Sequence, residues 1–135
     1  MEQHKDLKFK KCSLGMKQRV GIALALLGSP ALLILDEPIN GLDANSVMVF
    51  KEILAQLAAQ GKTIFYSSHL MDVVEKISSR IVLLNEGKVV ADGTFEQLQA
   101  ENESGTLEGI FNQLTGFDSY KDIGERFVSV VQEVL

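Results

Sequence analysis

"LLILDEPINGLD", residues Leu32–Asp43, is the stretch on which the reading of this chain turns. Four aliphatic residues end in two adjacent acids, Asp36 and Glu37. Pro38 then bends the chain, and a third acid follows at Asp43. The apolar run from Ala31 lacks the alternation of a half-solvated strand. Ala31–Asp36 therefore reads as a strand covered on both faces, as in a parallel sheet. Layered α/β folds place ligands beyond the C-terminal ends of such strands. Asp36 can hold a hard cation such as Mg²⁺ through oxygen, and Glu37 can orient an attacking water or take its proton. A plain hydrated turn accounts for the two acids equally well on these residues alone.

Working outward, the chain alternates between helical and extended patterns. Upstream, Val20, Ala23, Leu24 and Leu27 recur at helical spacing and predict an inward apolar stripe. Ser13 is placed to cap that helix, and Gly28 followed by Pro30 to end it. Downstream, Asp43 can cap a helix over 44–60 with Val47, Phe50, Leu54 and Leu57 inward, closed by Gly61. "TIFYSS" (63–68) reads as a second strand, and 70–78 as a short helix. "RIVLLNEGKVVADG" reads as strand, turn at Gly87 and strand. "TFEQLQAE" and "TLEGIFNQLTG" read as short helices. Ile123, Phe127, Val130, Val131 and Val134 form a final amphipathic helix, expected to pack on its own domain rather than on a partner. Strands alternating with helices define an α/β layered domain.

Composition narrows the function. A chain of 135 residues supports one core of useful size, and a net charge of −5 argues against a broad polyanion-binding face, hence against nucleic acid. "LKFKK" (7–11) is the only basic run and reads as a solvated face. The single Cys12 allows no internal disulfide and suits a reducing compartment. No apolar run is long enough to span a membrane.

Three short elements carry chemistry. "SLGMKQR" (Ser13–Arg19) opens a helix whose first-turn N–H groups lack helical partners and sit at the positive end of the dipole, a ready anion site. Gly15 lets backbone approach such an anion closely. Asp36 and Glu37 follow, and then His69, just past a strand that can lie beside Ala31–Asp36.

Taken in order, these elements resemble the C-terminal part of the ATP-binding subunit of an ABC transporter. "CSLGM" (12–16) resembles the family's signature loop, "LLILDE" its Walker B strand with the catalytic glutamate, "NGLD" (40–43) its D-loop and His69 its switch histidine. The hairpin and helix at 80–98 match as well. The resemblance implies part of a P-loop NTPase (RecA-like) three-layer fold with parallel core strands, spanning 1–103, and a helical C-terminal extension over 104–135. It implies ATP and Mg²⁺ as cofactors. Asp36 would position the metal, Glu37 polarise the hydrolytic water and His69 contact the γ-phosphate. Ser13, Leu14, Gly15, Met16 and Gln18 would face the ATP of an opposite subunit, with Asp43 at the same dimer contact. A second ATPase subunit, identical or not, and a membrane-spanning permease would be the partners, at the cytoplasmic face of the membrane. Leu14 and Met16 stand where the common pattern has Gly and Gln, a variant similar to that of bacterial drug and peptide exporters. Ile39 replaces the usual Thr.

No Gly-x-x-x-x-Gly-Lys-Ser/Thr loop, which wraps the β- and γ-phosphates, occurs in these residues. The isolated chain is thus expected to be inactive. The strand that precedes such a loop would lie between 63–67 and 80–84, so the isolated chain is also expected to be marginal or dependent on another polypeptide. Two alternatives remain: a non-catalytic remnant that keeps the dimer surface, and a soluble ABC ATPase outside transport. The short spacing from signature to Walker B and the acidic balance disfavour the latter.

Overall fold

The computed structural model describes residues 13–117 and 120–134. The N-terminal run 1–12, including Cys12 and the basic segment, lies outside the described residues. In chain order the elements are α1 (Leu14–Leu26), β1 (Leu32–Leu35), α2 (Ala44–Ala59), β2 (Thr63–Tyr66), α3 (Met71–Ile77), β3 (Ile81–Asn85), β4 (Lys88–Gly93), α4 (Phe95–Glu101), α5 (Leu107–Thr115) and α6 (Tyr120–Val134). They fall into two compact units that divide between Leu70 and Met71.

The first unit is built on a parallel pair, β1 with β2, in the register Leu32↔Thr63 through Leu35↔Tyr66. The crossover between them is α2. Asp43 Oδ1 caps it by accepting the Ser46 N–H at 2.7 Å. Phe50, Leu54 and Leu57 face inward as the periodicity predicts, and the Phe50 ring meets Tyr66 of β2 edge-on at 6.4 Å. Gly61 takes φ +81° after the helix, a conformation that costs a glycine little.

Two expectations for this unit are corrected. β1 is covered on one face only: Leu33 is 4% exposed, whereas Ile34 is 75% exposed. Two strands with α2 on one side leave the other face of β1 open. In α1, capped as expected by Ser13 Oγ on the Met16 N–H, the stripe Val20, Ala23, Leu24, Leu27 points outward. The buried residue is Ile22. The face bearing Gly15, Gln18 and Ile22 lines a groove shared with Ser46, Phe50 and Ile53 of α2. Apolar periodicity alone cannot tell which of two faces finds a neighbour. α1 ends at Leu26, just before Gly28 and Pro30 as expected. The left-handed residue there is Ser29, at φ +45°, whose hydroxyl and the Pro30 carbonyl both accept from Lys62 Nζ at 3.3 and 2.8 Å.

The second unit closes its own core. β3 and β4 form an antiparallel hairpin running from Ile81↔Gly93 to Asn85↔Lys88, with a bulge between Leu83 and Leu84. Glu86 and Gly87 both have positive φ, +49° and +75°, the backbone of a tight two-residue hairpin turn whose twist matches the strands. Ile81, Leu83, Leu98, Leu107 and Ile110 make one buried cluster, flanked by Val74, Phe95 and Phe111. Thr94 caps α4 in a reciprocal box with Gln97. Glu75 of α3 accepts the Leu107 N–H at 3.0 Å, satisfying a free donor at the start of α5.

β2 is bonded to β1 and β3 to β4, in two separate two-stranded sheets. In α6, every residue from 121 to 133 is exposed, so the expectation that this helix packs on its own domain is not met. The final helix stands with its apolar stripe open, Phe127 being 70% exposed.

Candidate functional site

The parallel register decides what meets beyond the strand ends. Leu35 pairs with Tyr66, and the ladder continues as the Ser67 N–H donates to the Leu35 carbonyl at 2.9 Å. Ser67 therefore comes level with Asp36. Its hydroxyl donates to Asp36 Oδ1 at 2.5 Å and accepts the Glu37 N–H at 2.9 Å. One side chain so fixes both acids, the first through its carboxylate and the second through its backbone.

Glu37 has φ +46°, an uncommon left-handed conformation for a residue with a Cβ. Its carboxylate reaches the loop after β2, where Glu37 Oε2 lies 3.1 Å from His69 Nδ1. Beyond it the turn Pro38–Asn40 is anchored by Ile39, 0% exposed. The residue that departs from the family's usual threonine is thus a buried anchor.

A second group joins the start of α1 to the turn before α2. Leu14 packs so closely on Gly41 that a Cβ there would strike Leu14 Cδ2, and Gly41 adopts φ +73°. Gly15 stands against Leu42 Cδ2 and Ser46 Oγ, which a Cβ there would meet at 3.7 and 3.9 Å. The Leu14 side chain is therefore spent on Gly41. Asp43 is held below the usual carboxylate range, first by the Ser46 backbone N–H, then by the Ser46 hydroxyl, with the charge of Arg19 adding to it.

Of the residues singled out in the sequence, the structure brings Asp36, Glu37 and His69 together. It sets Leu14 and Gly15 beside Gly41–Ser46, with Ser13 as the cap of α1 and Met16 and Gln18 on its first turns. Ser67 was missed. The signal was present in "SSH", but only the register Leu35↔Tyr66 shows which of the two serines faces Asp36. For a magnesium ion the donor set is one exposed carboxylate, Asp36, supported by a hydroxyl, and no cluster of three His, Cys, Asp or Glu stands among the described residues. That fits a cation held mostly by phosphate oxygens and water, as Mg²⁺ commonly is.

The chain is similar to known proteins. The profile of the family described as "ABC transporter" matches residues 1–40. The lantibiotic transport ATP-binding protein SrtF of Streptococcus pyogenes is 42% identical over 109 residues, 81% of this chain and 45% of that protein. The bacitracin transport ATP-binding protein BcrA of Enterococcus faecalis is 42% identical over 106 residues, covering 76% of this chain and 34% of its own length. A solved ATP-binding subunit of an ABC transporter superposes with a TM-score of 0.69 at 33% identity, over 78% of this chain and 45% of that one. The chain belongs to the ABC transporter ATP-binding protein family. It has that family's α/β P-loop NTPase fold in part, spanning less than half the length of the relatives it matches.

Proposed function

We propose that this chain is the signature-loop and Walker B part of an ATP-hydrolysing subunit that drives transport, export rather than import. The observation that carries the reading is the Ser67 clamp. A single hydroxyl holds Asp36 and Glu37 at the end of a parallel strand while His69 meets Glu37 at 3.1 Å.

In this reading residues 1–103 are the C-terminal part of the ATPase domain and 104–135 a helical extension. Asp36 offers its carboxylate to Mg²⁺, which when bound supplies charge neutralisation at the phosphates. Glu37 orients the hydrolytic water as base, and its contact with His69 sets the side chain's direction. His69 Nδ1 is engaged by Glu37, which leaves Nε2 as the ring atom for a terminal phosphate. The first-turn N–H groups of α1 at Leu14 and Gly15 present the positive end of a helix to an anion. Asp43, Met16 and Gln18 border the same surface, facing a second ATPase subunit. The lantibiotic and bacitracin transport relatives favour a peptide-like cargo and a permease partner at the membrane's inner face.

These 135 residues contain no Gly-x-x-x-x-Gly-Lys-Ser/Thr loop, so the chain alone is predicted to turn over no ATP. Supplying that loop on a second polypeptide tests the proposal. Saturable Mg-ATP hydrolysis in the mixture, lost at least about 100-fold in Glu37→Gln, is expected. Hydrolysis indifferent to Glu37→Gln would overturn the catalytic assignment. Absence of nucleotide binding in the mixture would favour a non-catalytic remnant.

A further inference from the structure

We propose that α6 pairs antiparallel with α6 of a second copy of this chain. The proposal rests on the helix's own pattern and is independent of the nucleotide chemistry above.

α6 runs from Tyr120 to Val134, and residues 121–133 are all exposed. Its sequence places apolar residues at 120, 123, 127, 130 and 134, alternating steps of three and four. That spacing is the seam of a two-helix coil. Ile123, Phe127 and Val130 present the seam uncovered.

The charges choose the partner and the direction. Counting 100° per residue, Arg126 and Glu133 lie along one edge of the seam, two turns or about 10 Å apart. Gly124 and Val131 occupy the other edge. In an antiparallel pair like edges meet. The register that sets Phe127 against Val130 of the second copy also brings Arg126 against its Glu133, and Glu133 against its Arg126. In a parallel pair each charged edge would face the edge of Gly124 and Val131, and no charge would be matched. The sequence is thus complementary to itself in one direction.

Other occupants fit less well. An anionic membrane surface is disfavoured because α6 carries three acids, Asp122, Glu125 and Glu133, against two bases, Lys121 and Arg126. Two four-turn helices make a small interface. The pairing is therefore expected to be weak in isolation and to gain from any other contact that holds two chains close.

A reciprocal charge reversal tests the proposal. R126E makes both charged positions on the edge acidic, and E133R makes both basic, so each variant repels its own copy. Mixed, the two variants match at both contacts. With differently tagged full chains, capture of R126E by E133R is expected to exceed self-capture of either variant by about tenfold. The double variant R126E/E133R should recover wild-type self-association, and circular dichroism should show unchanged helix content. The excess should shrink with added salt. Equal capture in all combinations would overturn the antiparallel pairing, including the case in which the chains associate through another surface. Loss of association on adding anionic vesicles, with no preference between the mixed and single variants, would overturn it in favour of the membrane.

Discussion

The two compact units of this chain spend their apolar residues differently. In the second unit the hairpin β3–β4 and helices α4 and α5 close over Ile81, Leu83, Leu98, Leu107 and Ile110. In the first, comparably large side chains at Leu24, Leu27, Ile34 and Phe65 stay open to solvent, while the polar residues at the strand ends are tightly held. The first unit buries Leu33, Phe50, Leu54 and Leu57 on one side of its strand pair and holds the candidate site at the strand ends, while the second closes a core under its hairpin and leaves Leu84, Val89 and the stripe of α6 open. Contiguous exposed apolar surface of this kind marks contact sites.

The sharpest way to break that contrast is a pair of truncations. Ile110→Ala, from a fully buried position, is expected to cost about 3 kcal/mol. Leu27→Ala, from a position 81% exposed, should change stability by less than about 0.5 kcal/mol. Urea denaturation of both variants measures this. A comparable loss at Leu27 would mean that the outward face of α1 is buried in solution.

Amide hydrogen exchange sharpens the same comparison residue by residue. Each ladder is covered on one face, but β3–β4 contributes Ile81 and Leu83 to a fully buried cluster, whereas in β1 and β2 Leu33 alone is buried. Amides of Ile81–Asn85 and Lys88–Gly93 are expected to exchange at least about tenfold more slowly than those of Leu32–Leu35 and Thr63–Tyr66. Equal protection would indicate that the first unit is stabilised as well as the second.

Within the first unit the stiff point is Ser67. Ser67→Ala removes the donor to Asp36 and the acceptor for the Glu37 N–H. A cost of about 1 kcal/mol is expected, with a large shift of the Glu37 amide resonance and little change at β3–β4. An unmoved Glu37 resonance would show that the left-handed turn holds without the serine.

The smallest effect is pH-dependent and sits at the cap of α2. The Asp43 carboxyl is lowered in the folded chain by its hydrogen bonds from Ser46. A depressed carboxylate stabilises fully above its unfolded value, near 3.8. That contribution is lost as pH falls from there through the folded value. Stability should be flat in this respect above about pH 5, and Asp43→Asn should flatten the acid limb without moving the neutral plateau.

Much of this architecture was legible from local pattern. The caps Ser13 and Asp43, the inward stripe of α2 and the turn at Gly87 are each dictated by a few neighbouring residues. So was the meeting of Asp36, Glu37 and His69, because strand ends in a parallel pair converge. The misread features all depend on what lies opposite. The outward face of α1 and the open face of β1 are apolar in sequence, and periodicity reports amphipathicity without naming the neighbour. The tail carries a genuine stripe, but nothing in its own spacing says whether the cover comes from the same chain. Ser67 needed the strand register, which no single segment encodes.

The central claim is that the carboxylate end of β1, fixed by Ser67, faces the metal-bound phosphates of ATP. Manganese, a paramagnetic stand-in for magnesium, tests it most directly. Titrating Mn-ATP into isotope-labelled chain, combined with a polypeptide that supplies the phosphate-wrapping loop, should broaden the amide signals of Asp36, Glu37 and Ser67–His69 first. Signals of the β3–β4 hairpin should remain sharp. Broadening that begins elsewhere, or that survives unchanged in Asp36→Asn, would contradict the account.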